Sequence, residues 1–274
     1  MNLASPGQVK AWCIENGFHP NKTLGQNFLV DGNVTKAIAA AGMALARSAA
    51  GETGGGSLRI LEIGPGLGAL TEALLAAGAR VIAIEKDAVL AGRLAGALGN
   101  PPGLEVVAAD ALRIIEEGGA DGRYDAMVSN LPYASGTRML LELAGRRSVP
   151  AMTALVQTEV AERLAAREGS RARSLAGVLA QLDYDVEIVR NVSASCFWPR
   201  PQIGSSVVTL ARHGRNDAMT EAERKTFRAL AKRAFAHRRK QLGSIFGDLI
   251  QSRRRAEELS IEEWTTLAKG TTEK

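Results

Sequence analysis

The 274-residue chain is 46% hydrophobic, enough for a full buried core, so a globular protein is expected. Its two cysteines, Cys13 and Cys196, exclude a disulfide framework, and no apolar run approaches the roughly 20 residues that cross a bilayer. Net charge is +5, but it is unevenly spread: residues 224–255 hold 11 Lys/Arg against one acid, Asp248, and the remainder of the chain is slightly acidic.

The N-terminus, MNLASPGQVK, lacks the charged start and apolar block of a signal peptide, and a cytoplasmic protein is expected. Residues 1–57 read as a helical lead that ends in a flexible, Gly-rich connection, SAAGETGGGS at 48–57. From 58 to 157, short β-branched or apolar runs alternate with Ala/Leu-rich helical stretches, the pattern of an α/β fold with a parallel sheet. Strands are predicted at 58–63, 80–84, 104–109, 124–129 and 151–157, with 185–191 and 205–211 forming a hairpin-like end, seven in all. After 212 the strand signals stop. Thr220 stands three residues before Glu223, a capping-box spacing that predicts a helix. Two domains are therefore expected, 1–212 and a small helical one at 213–274.

The stretch ILEIGPGLGALTEALLAAG places Gly64, Gly66 and Gly68 between a strand and a helix. Glycines there let a ligand approach the main chain, and the helix start offers free N–H groups. Glu85 ends the next strand about 20 residues on, where a carboxylate can accept both hydroxyls of a ribose. Dinucleotide enzymes share this much. Here, however, Glu62 precedes the turn, the spacing is G-x-G-x-G, and Asp110 closes the third strand, placed to accept from an adenine amino group with apolar Ala111 beside the ring. This series favours an adenosyl ligand without a pyrophosphate, and S-adenosylmethionine fits. For each acid taken singly, an ordinary strand-end carboxylate is the alternative.

Strand four is predicted to end at Ser129, where SNLPY begins, because a proline cannot donate to a ladder. Asn130 to Tyr133 then lie on the same carboxyl edge as the glycine turn. A nucleobase amine is a poor nucleophile, since its lone pair is delocalised into the ring. Two acceptors on its hydrogens would hold it in place. Asn130 offers its side-chain oxygen, Leu131 or Pro132 a carbonyl, and Tyr133 a stacking face. The alternative is an Asn-Pro turn with a half-buried tyrosine.

The combination of TLGQNFL at 23–29, LEIGPGLGALT at 61–71, IEKD at 84–87, AD at 109–110, NLPY at 130–133, EVAERL at 159–164 and FWPRPQIGSSVV at 197–208 resembles the ribosomal RNA adenine dimethyltransferases. AFAHRRKQL at 234–242 and LSIEEWTTLA at 259–268 are also similar to that family. The resemblance implies a Rossmann-like, seven-stranded sheet of the S-adenosylmethionine-dependent methyltransferases with a small C-terminal helical domain. It implies that Gln26, Asn27, Phe28 and Leu29 close over the donor and that Lys86, in the IEKD motif, belongs to the donor site. It also implies that Phe197 sandwiches the target adenine with Tyr133, flipping it from its stack. The residues alone would place Phe197 in the core. The implied activity is dimethylation of two adjacent adenines near the 3′ end of small-subunit ribosomal RNA. The chain departs from the family pattern at Ala134–Gly136, at 167–174 and at Gly204.

The basic stretch, represented by Arg224, Lys232, Arg233, Arg238, Arg239 and Lys240, is expected to meet RNA phosphates through counterion release. The resemblance implies that this domain docks on the small ribosomal subunit. His19, His213 and His237 lack partners at metal-ligand spacing, so no metal is expected. A monomer is expected. Two alternatives of other kinds are a non-catalytic RNA-binding assembly factor with the same fold, and a resistance-type methylase of large-subunit RNA.

Overall fold

The computed structural model describes residues 5–21, 23–51 and 56–272. Two helices form the N-terminal lead, α1 (Pro6–Glu15) and α2 (Gly32–Ala50), with the two-residue strand β1 (Phe28–Leu29) between them. The Asp31 side chain accepts from the N–H groups of Asn33 and Val34 and so starts α2. Residues 48–50, read from sequence as loop, are its last turn, and 52–55 of that connection lie outside the described residues.

Strands and helices then alternate: β2 (Arg59–Ile63), α3 (Ala69–Ala76), β3 (Arg80–Glu85), α4 (Ala88–Ala97), β4 (Leu104–Ala108), α5 (Ala111–Glu116), β5 (Ala126–Asn130), α6 (Gly136–Arg146), β6 (Ala151–Gln157), α7 (Thr158–Ala165), α8 (Leu175–Gln181) and β7 (Tyr184–Val192). The two-residue β8 (Phe197–Trp198) and β9 (Ser205–Arg212) follow. The seven-stranded sheet has the order β4-β3-β2-β5-β6-β9-β7, with β2 to β6 parallel and β9 antiparallel to β6. Interior strands such as β5 and β6 are buried almost throughout, as strands covered on both faces must be, which explains their continuous apolar runs.

The order runs outward from β2 to β4 and then returns to β5, so β2 and β5 flank the switch point where open α/β sheets hold ligands. Their ladder covers only Ile60↔Ala126 and Leu61↔Met127. Beyond it, the Ile63 N–H donates to the Ser129 hydroxyl at 2.9 Å, a side chain standing in for a backbone acceptor. Contrary to the sequence reading, β5 does not stop at Ser129 but includes Asn130, which pairs with Leu155 of β6.

The chain divides into two compact units: residues up to Ala161 with Glu187–Arg212, and Glu162–Val186 with the residues from His213 on. The sequence reading put 162–186 in the first domain. They group with the second because Val178 and Leu182 share a core with Phe227, Leu230, Leu242 and Trp264. That core is built from α8, α9 (Glu221–Ala236), α10 (Leu242–Phe246) and α11 (Ile261–Thr272). Helix α9 starts with the reciprocal Thr220/Glu223 capping box.

Candidate functional site

A cavity of about 240 Å³ opens at the carboxyl ends of β2, β3 and β5. Lining it are all the residues expected to hold a methyl donor, namely Gln26, Asn27, Leu29, Glu62, Gly64, Gly66, Glu85, Lys86, Asp110, Ala111 and Asn130, together with Leu131, Pro132 and Tyr133. Its floor is the glycine turn. Gly66 adopts φ +59°, and a Cβ there would come within 3.0 Å of the Phe28 ring. A side chain at this position would therefore push the 23–29 segment off the cavity.

Two buried carboxyl groups face this turn. Glu85 accepts from the Gly66 N–H (3.1 Å) and the Asp87 N–H (2.9 Å); burial pushes its acidity down, and these bonds oppose the shift. Glu62 is only 1% exposed, and its Oε2 finds no hydrogen-bond partner among the described residues. Burial, with a smaller contribution from the Glu85 charge, raises its pKa to about 8. Between an unfolded value near 4.5 and a folded value of about 8, the native state holds the extra proton, so stability falls as pH rises through that window. Chemical denaturation of the ligand-free protein from pH 5 to 9 is expected to show this decline, and Glu62→Gln is expected to show a smaller one, the remainder coming from Glu85, which burial shifts in the same direction.

Asp110 lies where predicted but is already engaged. Its Oδ1 caps α5 through the Leu112 N–H at 3.0 Å, and its Oδ2 meets Lys86 Nζ at 2.7 Å. That lysine bond holds the Asp110 carboxyl below the usual range. Lys86 thus bears on the cavity through Asp110. Asp87, absent from the sequence candidates, ties the site together: its N–H meets Glu85, and its Oδ2 accepts from Gln26 Nε2 at 3.0 Å. An acid at a helix N-cap was the signal available for it.

Asn130 donates from Nδ2 to the main-chain oxygen of Asn27 at 3.2 Å. A carbonyl only accepts, so this bond fixes the amide orientation, and Oδ1 of this cavity-lining residue makes no hydrogen bond among the described residues. Gly25, at φ +69°, brings the same segment onto the next loop, where a Cβ would lie 3.1 Å from the Tyr133 nitrogen. Tyr133 is half-buried, and its hydroxyl lies 2.6 Å from Ser205 Oγ.

Phe197 stands in the core, where the residues alone place it, and not at the acceptor, where the resemblance does. It is 3% exposed, packs in the main core and does not line the cavity. The β1–β8 pair turns it inward, with Leu29 opposite Phe197 and Phe28 opposite Trp198. Two-residue strands carry too short a pattern to be read from sequence.

The basic stretch also splits. Arg224 is 2% exposed: its Nη1 meets both oxygens of Asp183, at 2.9 and 2.7 Å, and its Nη2 meets the Asn216 carbonyl, so it is withdrawn from any RNA surface. Arg233 donates to the Ile245 carbonyl and lies 5.0 Å from the Phe246 ring centre, and Arg238 binds the Arg171 carbonyl and faces Glu257. Lys232, Arg239 and Lys240 are exposed and make no ion pair among the described residues.

Comparison with known proteins agrees with this geometry. The family described as Ribosomal RNA adenine dimethylase matches residues 17–274. Ribosomal RNA small subunit methyltransferase A of Moorella thermoacetica is 34% identical over 98% of this chain and 98% of its own. Among solved structures, a dimethyladenosine transferase from Plasmodium falciparum shares the fold at a TM-score of 0.68 and 22% identity, covering 79% of this chain and 90% of that one. The 23S rRNA methyltransferase ErmE gives a TM-score of 0.57 at 25% identity, over 83% and 96%. A match across nearly the whole length, on a chain whose glycine turn and NLPY loop share one cavity, shows that this chain belongs to the ribosomal RNA adenine dimethylase family.

Proposed function

We propose that the protein transfers methyl groups from S-adenosylmethionine to the N6 atoms of two adjacent adenines near the 3′ end of small-subunit ribosomal RNA. The observation that carries this reading is Asn130, which lines the cavity beside the glycine turn with its amide nitrogen committed to Asn27 and its oxygen without a hydrogen-bond partner among the described residues.

The residues fit such a donor. The unpartnered, buried Glu62 oxygen suits a cationic group, and the Gly64–Gly66 turn suits close approach of a small chain. Glu85 and Asp110 retain lone pairs for ribose hydroxyls and an adenine amine. S-adenosylmethionine, when bound, supplies an electrophilic methyl group. The rest of the task belongs to the chain. Asn130 Oδ1 and the Leu131 carbonyl accept the two amine hydrogens, which orients the nitrogen lone pair and steadies the charge that develops on it; the Pro132 carbonyl, the other candidate, already accepts from the Ser135 and Gly136 N–H groups at 3.3 and 2.7 Å. Tyr133 offers its ring face to the base, a stack of roughly 1–3 kcal/mol. No side chain needs to act as a strong base, since the alkylated amine is acidic enough to release its proton to water.

Lys232, Arg239 and Lys240 supply the phosphate-facing charge of the helical unit. Replacing all three with alanine is expected to weaken subunit binding and to lower the slope of log K against log salt by about one for each cation. The same treatment of Arg224 is expected to act on folding instead. The function itself is tested by labelled methyl transfer to small subunits that lack the modification. Label is expected in small subunits and not in large ones. Label in large subunits alone would favour a resistance-type methylase, and subunit and donor binding without transfer would favour an assembly factor.

A further inference from the structure

A phenol hydroxyl adds nothing to stacking that a phenyl ring lacks, yet the hydroxyl of Tyr133 is specifically held. Its partner Ser205 is 1% exposed and opens β9, directly opposite Gln157 in the β6–β9 ladder. The neighbouring Gly204 carbonyl accepts from the Thr158 N–H at 3.1 Å, so the serine sits on a rigid part of the sheet. The other end of Tyr133 is fixed as well: its main chain lies against Gly25, where there is no room for a side chain. With both ends held, the ring has little freedom left in χ1 and χ2. Burial keeps the phenol neutral and able to donate. The Tyr133–Ser205 contact, at 2.6 Å, is within the range of a well-formed hydroxyl pair and spans 72 residues of sequence.

We propose that Ser205 is a positioning residue for methyl transfer, holding the Tyr133 ring in the plane on which the target adenine stacks before Asn130 grips its amine. The inference rests on the reading of Tyr133 as the stacking face. A platform fixed before the base arrives contributes to rate because its ordering cost is not incurred at the reaction step. Ser205 touches neither base nor donor, so its effect should fall on kcat and leave donor affinity unchanged.

The test is a cycle of Ser205→Ala, Tyr133→Phe and the double variant in single-turnover methyl transfer to unmodified small subunits, with donor affinity measured in parallel. Each single variant is expected to lose about 3- to 10-fold in rate, the worth of one neutral hydrogen bond. The double variant is expected to lose no more than either single, and Ser205→Thr is expected to restore most of the rate. Wild-type rates in both single variants, or losses that multiply in the double, would overturn the inference. Tyr133→Phe breaks the same bond from the other side, so a folding defect confined to Ser205→Ala leaves the outcome readable. Tyr133→Ala separates the two layers. If it is strongly impaired while Tyr133→Phe and Ser205→Ala are not, the role of Ser205 fails alone; if Tyr133→Ala keeps the wild-type rate, the stacking reading fails with it.

Discussion

Asn130→Ala is expected to lower kcat for methyl transfer by about 10²- to 10³-fold, the range seen when a preorganised hydrogen-bonding group at a reacting centre is removed. The side chain has two functions that separate in measurement. Its Nδ2 holds the Asn27 carbonyl and with it the segment over the cavity, a neutral bond worth about 0.5–1.5 kcal/mol. Its loss should weaken donor affinity only several-fold. The proposed role of Oδ1 is to accept from the target amine, and its loss should appear in the rate at saturating donor and RNA. Calorimetric donor titration beside single-turnover kinetics distinguishes these effects. A variant with a wild-type rate would remove Asn130 from the reaction, and one whose whole defect lay in donor affinity would reduce it to a clasp for residues 23–29.

Arg224→Ala is expected to destabilise the helical unit by about 3–5 kcal/mol, because it leaves the Asp183 carboxylate buried without its counter-charge. The pair joins the start of α9 to the segment before β7, and the Asp183 carbonyl also accepts from the His213 N–H. Few single changes in this unit should cost more. Replacing both partners with apolar residues of similar size, Arg224→Met with Asp183→Leu, is expected to recover much of the loss, since two desolvation penalties vanish together. Urea denaturation followed by far-ultraviolet circular dichroism measures both. If Arg224→Ala unfolded like the wild type but lost RNA affinity, the arginine would belong to the binding surface after all.

Arg224 also marks a boundary of what sequence can convey. A charge count treats 11 cations between 224 and 255 as equivalent, whereas the structure removes one to a buried ion pair with a partner 41 residues upstream and ties others to carbonyls and acids. By contrast, the parallel sheet was legible, because buried strands and Gly-rich turns write their patterns locally. That these residues share one cavity was legible for the same reason: Gly64, Gly66, Glu85, Asp110 and Asn130 each stand at or just past a strand end, and open α/β sheets bring such ends to one edge. Gln26, Asn27 and Leu29 carry no such mark, and only resemblance to a family pointed to them. Ser129, Asp87 and Ser205 escaped notice because each acts through a partner that local spacing does not reveal. Phe197 shows the converse. Motif resemblance placed it at the acceptor, while the β1–β8 pairing, with strands too short to predict, packs it in the core.

On the proposed reading, this edge of the sheet dimethylates two neighbouring adenines of small-subunit RNA. The most direct measurement is mass spectrometry of rRNA fragments from unmodified small subunits incubated with the protein and S-adenosylmethionine. Four added methyl groups are expected in one fragment near the 3′ end, recovered after digestion as N6,N6-dimethyladenosine at two adjacent positions and absent with Asn130→Ala. Methyl groups on another base, on large-subunit RNA, or on no RNA despite demonstrated donor binding would contradict it.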